Sequence, residues 1–327
     1  MNKKIVSMLI VLILLPLAII YSATTGSIDV TAWELVKGLF TGADENVNII
    51  KDLRFPRIII SLFAGAALAV SGVLLQSVMR NPLAEPGIIG VSSGSAFVTL
   101  VVLTFFPTLF FFTPLLAFIG GALAFLLVYS LSWKSGLNPL RMILIGVAIN
   151  AVFTGFSELL MSSNASSMMQ SVSVTHSTLT MKTWNDVQII VIYGSLGLLV
   201  AFFLNAWANH LSLSDATLHN LGFRVNLARF VISVVAVLLA SIATAVAGMF
   251  TFVGLLVPHI GRTLVGSDHK WLIPFSTLAG ALLILIADTI GRTIMAPLEV
   301  PASIIMAIIG GPFLIFLLRK SDRIYGH

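Results

Sequence analysis

Few residues in this chain are equipped for chemistry. Thirteen Asp and Glu, eighteen Lys and Arg and six His are spread over 327 residues, and cysteine is absent. Without thiols there can be no disulfide, thiolate nucleophile or cysteine metal site. His259 and His269 stand ten positions apart, with no third ligand close by to complete a tetrahedral set, so no metal site is expected. No G-x-x-x-x-G-K-[ST] loop is present to cradle nucleotide phosphates. No nucleophile, base and orienting group stand together as acyl or phosphoryl chemistry would need. The chain therefore reads as a non-enzyme with no cofactor.

The ionisable residues that do stand out interrupt apolar sequence in three blocks. The segment 80–87 holds Arg80, Asn81, Leu83 and Glu85 between Pro82 and Pro86, and two prolines deny amide donors and break a helix. Glu85 near membrane depth needs a partner or water, so this block is either a tight turn or part of a gate. The segment 254–262 ends in Pro258, His259 and Arg262 and runs on to Gly266, Asp268, His269 and Lys270. The third block carries Asp288 and Arg292, then Glu299 and Pro301. Asp288 and Arg292 are four apart and share a helix face, so local pairing is expected to ease the burial of Asp288.

The elements that must position these residues are membrane helices. Only 9% of the chain is charged and 58% is hydrophobic, whereas soluble domains average about 25% charged residues. Apolar runs of about 18 residues or more read as spans, and a barrel would show short segments of alternating polarity, which are missing. Ten spans are expected, near 5–21, 55–79, 87–106, 115–133, 140–161, 187–207, 227–249, 250–264, 272–290 and 301–318. The border between the seventh and eighth is the least sharp. The basic N-terminus with its apolar run reads as an uncleaved first span, no small-x-small site following it. Lys37, Lys51, Arg54, Arg57, Lys182 and Arg292 make six basic residues on one set of flanks, and the remaining twelve lie on the other. The positive-inside tendency puts both termini in the cytoplasm. The +5 net charge is scattered at span ends, so it serves membrane anchoring and not nucleic-acid binding. Residues 1–327 form a single transmembrane domain with outer loops at 22–52 and 162–185. Gly65, Ala66, Ala67, Gly72, Gly146, Gly155, Gly310 and Gly311 suit close helix packing, or for some of them the lining of a pathway.

Together these segments resemble the FecCD-type permeases of ABC importers. The likeness rests on Arg54-Phe55-Pro56-Arg57, the small-residue run 65–72, Gln76, Asn81 to Gly87, Phe252 to Leu255 with Pro258-His259, Asp268-His269, Ala287-Asp288 with Arg292, and Glu299 with Pro301. It covers nearly the whole chain in the expected order. The resemblance implies an all-α, ten-span bundle of the type II importer permease class in the inner (cytoplasmic) membrane, with both termini in the cytoplasm. It implies an ATP-binding subunit in two copies, an extracytoplasmic substrate-binding protein, and a second permease chain, identical or related. Arg54, Arg57 and Arg292 match the outer arginines that meet acidic residues of the binding protein. Reversing the charge at Arg57 is then expected to weaken docking and leave membrane assembly intact. Ser214, Asp215, Ala216, Leu218, Leu221 and Gly222, within a short cytoplasmic helix near 212–223, match the coupling helix that enters the ATPase. The residues alone support that helix, with a Ser N-cap, an early Asp and a Gly stop. Asn81 and Leu83, with Pro139 and Leu140, match the cytoplasmic gate.

The expected function is import of a ferric siderophore by alternating access, with haem and then cobalamin as alternative cargoes. Met161, Met168, Met169, His176 and Met181 lie near the second outer loop and would suit haem handling, but they form no axial-ligand pattern. A proton-coupled transporter would need buried carboxylates, for which Asp288 and Glu158 are the candidates; a lipid-acting enzyme lacks a catalytic cluster.

Overall fold

The computed structural model describes residues 3–26, 30–41, 45–133, 139–163, 179–296 and 298–325. These residues are helical or in short connections, and no strand is found among them. In chain order the helices are α1 (Lys3–Thr24), α2 (Ala32–Thr41), α3 (Glu45–Met79), α4 (Val91–Phe105), a 3₁₀ segment (Pro107–Phe112), α5 (Thr113–Trp133), α6 (Pro139–Ser163) and α7 (Trp184–Phe203), then α8 (Asn205–His210), α9 (Asp215–Asn220), α10 (Val225–Ala247), α11 (Val253–Val265), α12 (His269–Thr293) and α13 (Ala302–Tyr325). Seven helices are long and apolar enough to cross a bilayer, and 91–105, 253–265 and 302–317 are shorter apolar helices.

Local sequence sets the helix limits. Thr183 and Asp186 form a reciprocal capping box at the start of α7, and Asp268 caps α12 by accepting from the Lys270 amide. Gly248 and Gly266 stop α10 and α11 at φ of 86° and 85°, backbone that a side chain would disfavour. Two departures from the sequence reading bear on the site. Helix α3 begins ten residues before the expected span, at Glu45, because 45–54 carries no proline or glycine to stop it. The first outer loop is not all loop, since α2 lies within it.

Helix α3 is the axis of the bundle, packed by α12, α10, α7 and α11. Its residues from Ala64 to Met79 are almost all buried, with Ala64, Ala67, Ala69, Val70, Val73, Leu74 and Leu75 at 0% exposure. Lipid supplies no hydrophobic drive to bring helices together, so close backbone approach must do it. A Cβ on Gly65 would run into the Gly280 carbonyl, and one on Gly280 into the Gly65 carbonyl. Gly72 meets Gly254, Gly146 meets the Ile88 carbonyl and Gly310 meets Phe252 in the same way. Gly155 and Gly311 face open space, so close packing explains the first group and not these two. Thermal unfolding in detergent checks the difference. Gly65→Val is expected to destabilise by about 1–3 kcal/mol or more through overpacking, while Gly155→Ala should shift the midpoint little.

Candidate functional site

Polar side chains concentrate at the two ends of α3. At the N-terminal end the centre is Asp288 on α12, 1% exposed. Arg57 donates through Nε to both Asp288 oxygens at 2.9 Å, and its Nη2 lies 2.8 Å from Oδ1. The Nη1 of Arg57 reaches Glu299 Oε2 at 2.8 Å, an oxygen that also accepts from the Thr180 hydroxyl at 2.8 Å. Burying a charge without such pairing would be costly. The local pairing expected between Asp288 and Arg292 is secondary. Arg292 Nε sits 3.5 Å from Asp288 but makes no hydrogen bond there. Its Nη2 turns instead to the Ser22 carbonyl and hydroxyl at 2.9 and 2.8 Å, and Arg54 Nη1 donates to the Ala23 carbonyl at 2.8 Å. The two arginines thereby satisfy orphan carbonyls at the C-terminus of α1, where the helix dipole favours cations.

This arrangement corrects one expectation. Arg54 and Arg57 are only 8% and 7% exposed, and Arg292 is held against α1. Reversing Arg57 to Glu would place a third carboxylate beside Asp288 and Glu299, so the change should cost fold stability as well as any docking contact. The three arginines nonetheless line a cavity of about 720 Å³, shared with Gly26, Thr180, Lys182 and Glu299. Burial pushes the Lys182 ammonium pKa down, against the nearby Asp186 charge. Burial raises the Glu299 carboxyl, yet the hydrogen bonds and charges of Arg57, Thr180 and Arg292 leave it below its usual range.

At the other end, α3 stops on Arg80, whose φ is 47°, and the Asn81 amide bonds back to the Gln76 carbonyl at 3.2 Å. This is a helix stop of the Schellman type with arginine where glycine is usual. Asn81, 2% exposed, accepts the Leu83 amide on its side-chain oxygen at 2.9 Å. Glu85, 1% exposed, accepts the Phe252 amide at 3.0 Å, capping the start of α11 where a negative charge is favoured. Of the expected gate residues, Asn81 and Leu83 form this turn, and Pro139 and Leu140 open α6; the side chains of the last two lie outside the described residues.

A second polar layer ties α3 to the following helices. Gln76 donates to the Gly254 carbonyl and accepts from Arg262 at 2.6 Å. Ser77 meets His269 Nε2 at 2.7 Å, and Nδ1 of the same ring meets Asn209 at 2.7 Å. Hydrogen bonds from Asn209 and the Lys270 amide hold the Asp268 carboxyl below its usual pKa. His269 is thus part of a hydrogen-bond network and His259 packs edge-on against Phe313 at 5.6 Å, and no metal-binding group of three acidic, His or Cys residues occurs among the described residues.

Helix α9 lies inside the expected 212–223 but is shorter, six residues from Asp215 to Asn220: Ser214 accepts the Thr217 amide at 3.1 Å, Asp215 lies in the first turn, and Gly222 has φ of 71°. Its faces need a correction. Leu218 is fully buried in the main core, whereas Leu221 is 69% exposed, so Leu218 anchors the helix and Leu221 and Ala216 hold the outward face.

A further polar feature lies on α6. Asn150, Thr154 and Glu158 lie four apart along α6 and line, with Ser92, Ser93 and Thr251, a cavity of about 530 Å³. That spacing was visible as a polar stripe on an apolar helix. Glu158, Met161 and Met249 continue it into a smaller cavity. Met168, Met169 and His176 lie outside the described residues, and Met181 is 83% exposed.

The sequence profile of the FecCD transport family matches residues 12–320. Heme-iron transport system permease proteins named IsdF, from Staphylococcus aureus strains MSSA476 and Newman, are each 42% identical over 322 residues, covering 98% of both chains. A chain described as a metal-chelate type ABC transporter in an inward-facing conformation superposes with a TM-score of 0.78 at 28% identity, over 96% of this chain and 98% of that one. PsaBC from Streptococcus pneumoniae, solved with a Fab, shares the fold at a TM-score of 0.62 and 17% identity, over 87% and 94% of the two chains. With these likenesses spanning the whole bundle and both polar ends of α3, the chain belongs to the FecCD transport family, whose members are multi-pass cell-membrane permeases.

Proposed function

We propose that this ABC importer permease carries an iron chelate of the haem type, in a complex with two ATP-binding subunits, a second permease chain and an extracytoplasmic binding protein. The observation that carries the reading is the full-length likeness to heme-iron permeases, 42% identical over 98% of the chain. The sequence alone put ferric siderophores first; the relatives bring haem level with them, and both are iron chelates.

The seven long and three short apolar helices support ten crossings, which place both termini on one side, and the basic flanks point to the cytoplasm. Helix α11, 13 residues long, covers only about 20 Å against about 30 Å of hydrocarbon, and the non-helical 248–252 stretch before it, which lines the cavity with Met249, Phe250 and Thr251, would complete its path. The Arg54–Arg57–Arg292 end is then extracytoplasmic, and Lys182 with the rim of its cavity meets acidic groups of the binding protein. The hydroxyl-lined cavity beside Glu158 flanks the translocation pathway, since a carboxylate on an exposed helix face in the bilayer needs water or a partner. On the opposite side α9 receives the ATPase, and the Asn81–Leu83 turn gates the cytoplasmic exit. Hydrolysis on the partner subunits drives alternating access around that pathway.

Two measurements check this. Proteoliposomes holding the assembled importer should take up haemin in an ATP-dependent way; uptake of ferric hydroxamates or cobalamin with none of haemin would overturn the cargo assignment. Lys182→Glu should weaken binding-protein capture about tenfold, most at low salt, without lowering the melting temperature. Arg57→Glu, which breaks a buried pair, should instead destabilise the permease by about 3–5 kcal/mol.

A further inference from the structure

Asp215 sits in α9 but its partners belong to other elements. One oxygen, Oδ1, accepts from Arg80 Nη2 at 2.6 Å and from Arg229 Nη2 at 2.9 Å. Arg80 also donates through Nε to the Leu211 carbonyl at 2.9 Å and through Nη2 to the Leu213 carbonyl. The guanidinium of Arg80 therefore gathers the whole 211–215 connection onto the end of α3. Arg80 does this from a left-handed backbone, φ 47°, a conformation that disfavours any residue with a Cβ. Its position in the chain is the important point: the next residue is Asn81, whose side chain and carbonyl build the turn through Leu83 and Ala84.

We propose that Arg80 and Asp215 form the mechanical tie through which displacement of α9 reaches the Asn81–Leu83 turn, making them positioning residues for transport. This rests on the reading of α9 as the ATPase-facing helix and of the turn as the gate. The geometry offers a second arrangement. Arg229 Nε is buried with no hydrogen-bond partner, and its side chain is 11% exposed against 52% for Asp215. If α9 moves away from Arg80, Arg229 can take Asp215 through two donors and satisfy that Nε. Bidentate guanidinium–carboxylate pairing is the stronger geometry. The carboxylate thus has a shared state and an Arg229-held state, the kind of discrete pair that transmits motion between packed elements.

The cysteine-free chain allows a direct test. Leu83→Cys serves as the parent, in nanodiscs with its ATPase and permease partners, and maleimide labelling is timed without nucleotide and after ATP–vanadate trapping. The parent should label at different rates in the two states. Adding Arg80→Gln should shrink that difference at least about fivefold, the low end of usual coupling energies, while the ATPase subunits remain bound. Asp215→Asn should shrink it similarly, and Arg80→Lys, which keeps the charge, should restore part of it. An undiminished difference in Arg80→Gln and Asp215→Asn overturns the tie and leaves the gate assignment standing. Loss of the ATPase subunits from the Arg80→Gln complex overturns it in favour of a docking role. No difference in the parent removes the gate assignment and the tie with it.

Discussion

A bilayer offers no water to a buried charge or a loose backbone group, and that constraint shapes every part of this molecule. Helix α3 meets it by being apolar or small through its middle and charged at its ends. From Arg57 to Arg80 is 23 residues, about 35 Å of helix, close to the thickness of the hydrocarbon. The Arg57–Asp288–Glu299 cluster lies at one end and the Arg80–Asp215–Arg229 cluster at the other. Between them, Gly65 and Gly72 bring α12 and α11 against α3 backbone to backbone, so a displacement at either end is carried by a tightly packed core.

The cluster around Asp288 shows how function and stability can share residues. Its arginines neutralise Asp288 and cap α1 before they can meet anything outside. Their surplus charge still shapes the cavity they line, so under the proposed docking role attraction of an acidic partner falls to the field of the rim and to Lys182. The Arg80–Asp215–Arg229 end follows a different plan. There Asp215 and Arg80 are part-exposed and Arg229 is largely buried, and the one carboxylate is shared between elements and able to re-pair.

Much of this was legible in the sequence because lipid leaves few options. Long apolar runs mark the seven helices long enough to cross a bilayer and the three shorter ones, the prolines at 82 and 86 mark the break after α3, and Ser214, Asp215 and Gly222 bracket α9. The less legible parts depended on long-range pairing. Nothing local signals that Asp288 turns from Arg292, four residues away, to Arg57, 231 positions earlier. Nor does α9 by itself reveal that Leu218 points into the core, because the helix is six residues long and too short for periodicity to separate its faces. The polar stripe Asn150, Thr154, Glu158 was readable at helical spacing, but its use depends on which neighbours leave it uncovered.

The account depends on α3 spanning the membrane with its two charged clusters on opposite sides. Single cysteines at Leu53 and Leu221, 65% and 69% exposed, report on the two ends in a chain with no other thiol. In intact cells an impermeant maleimide should label position 53 and leave position 221 unlabelled until the membrane is opened. Labelling of both from the same side would contradict the account.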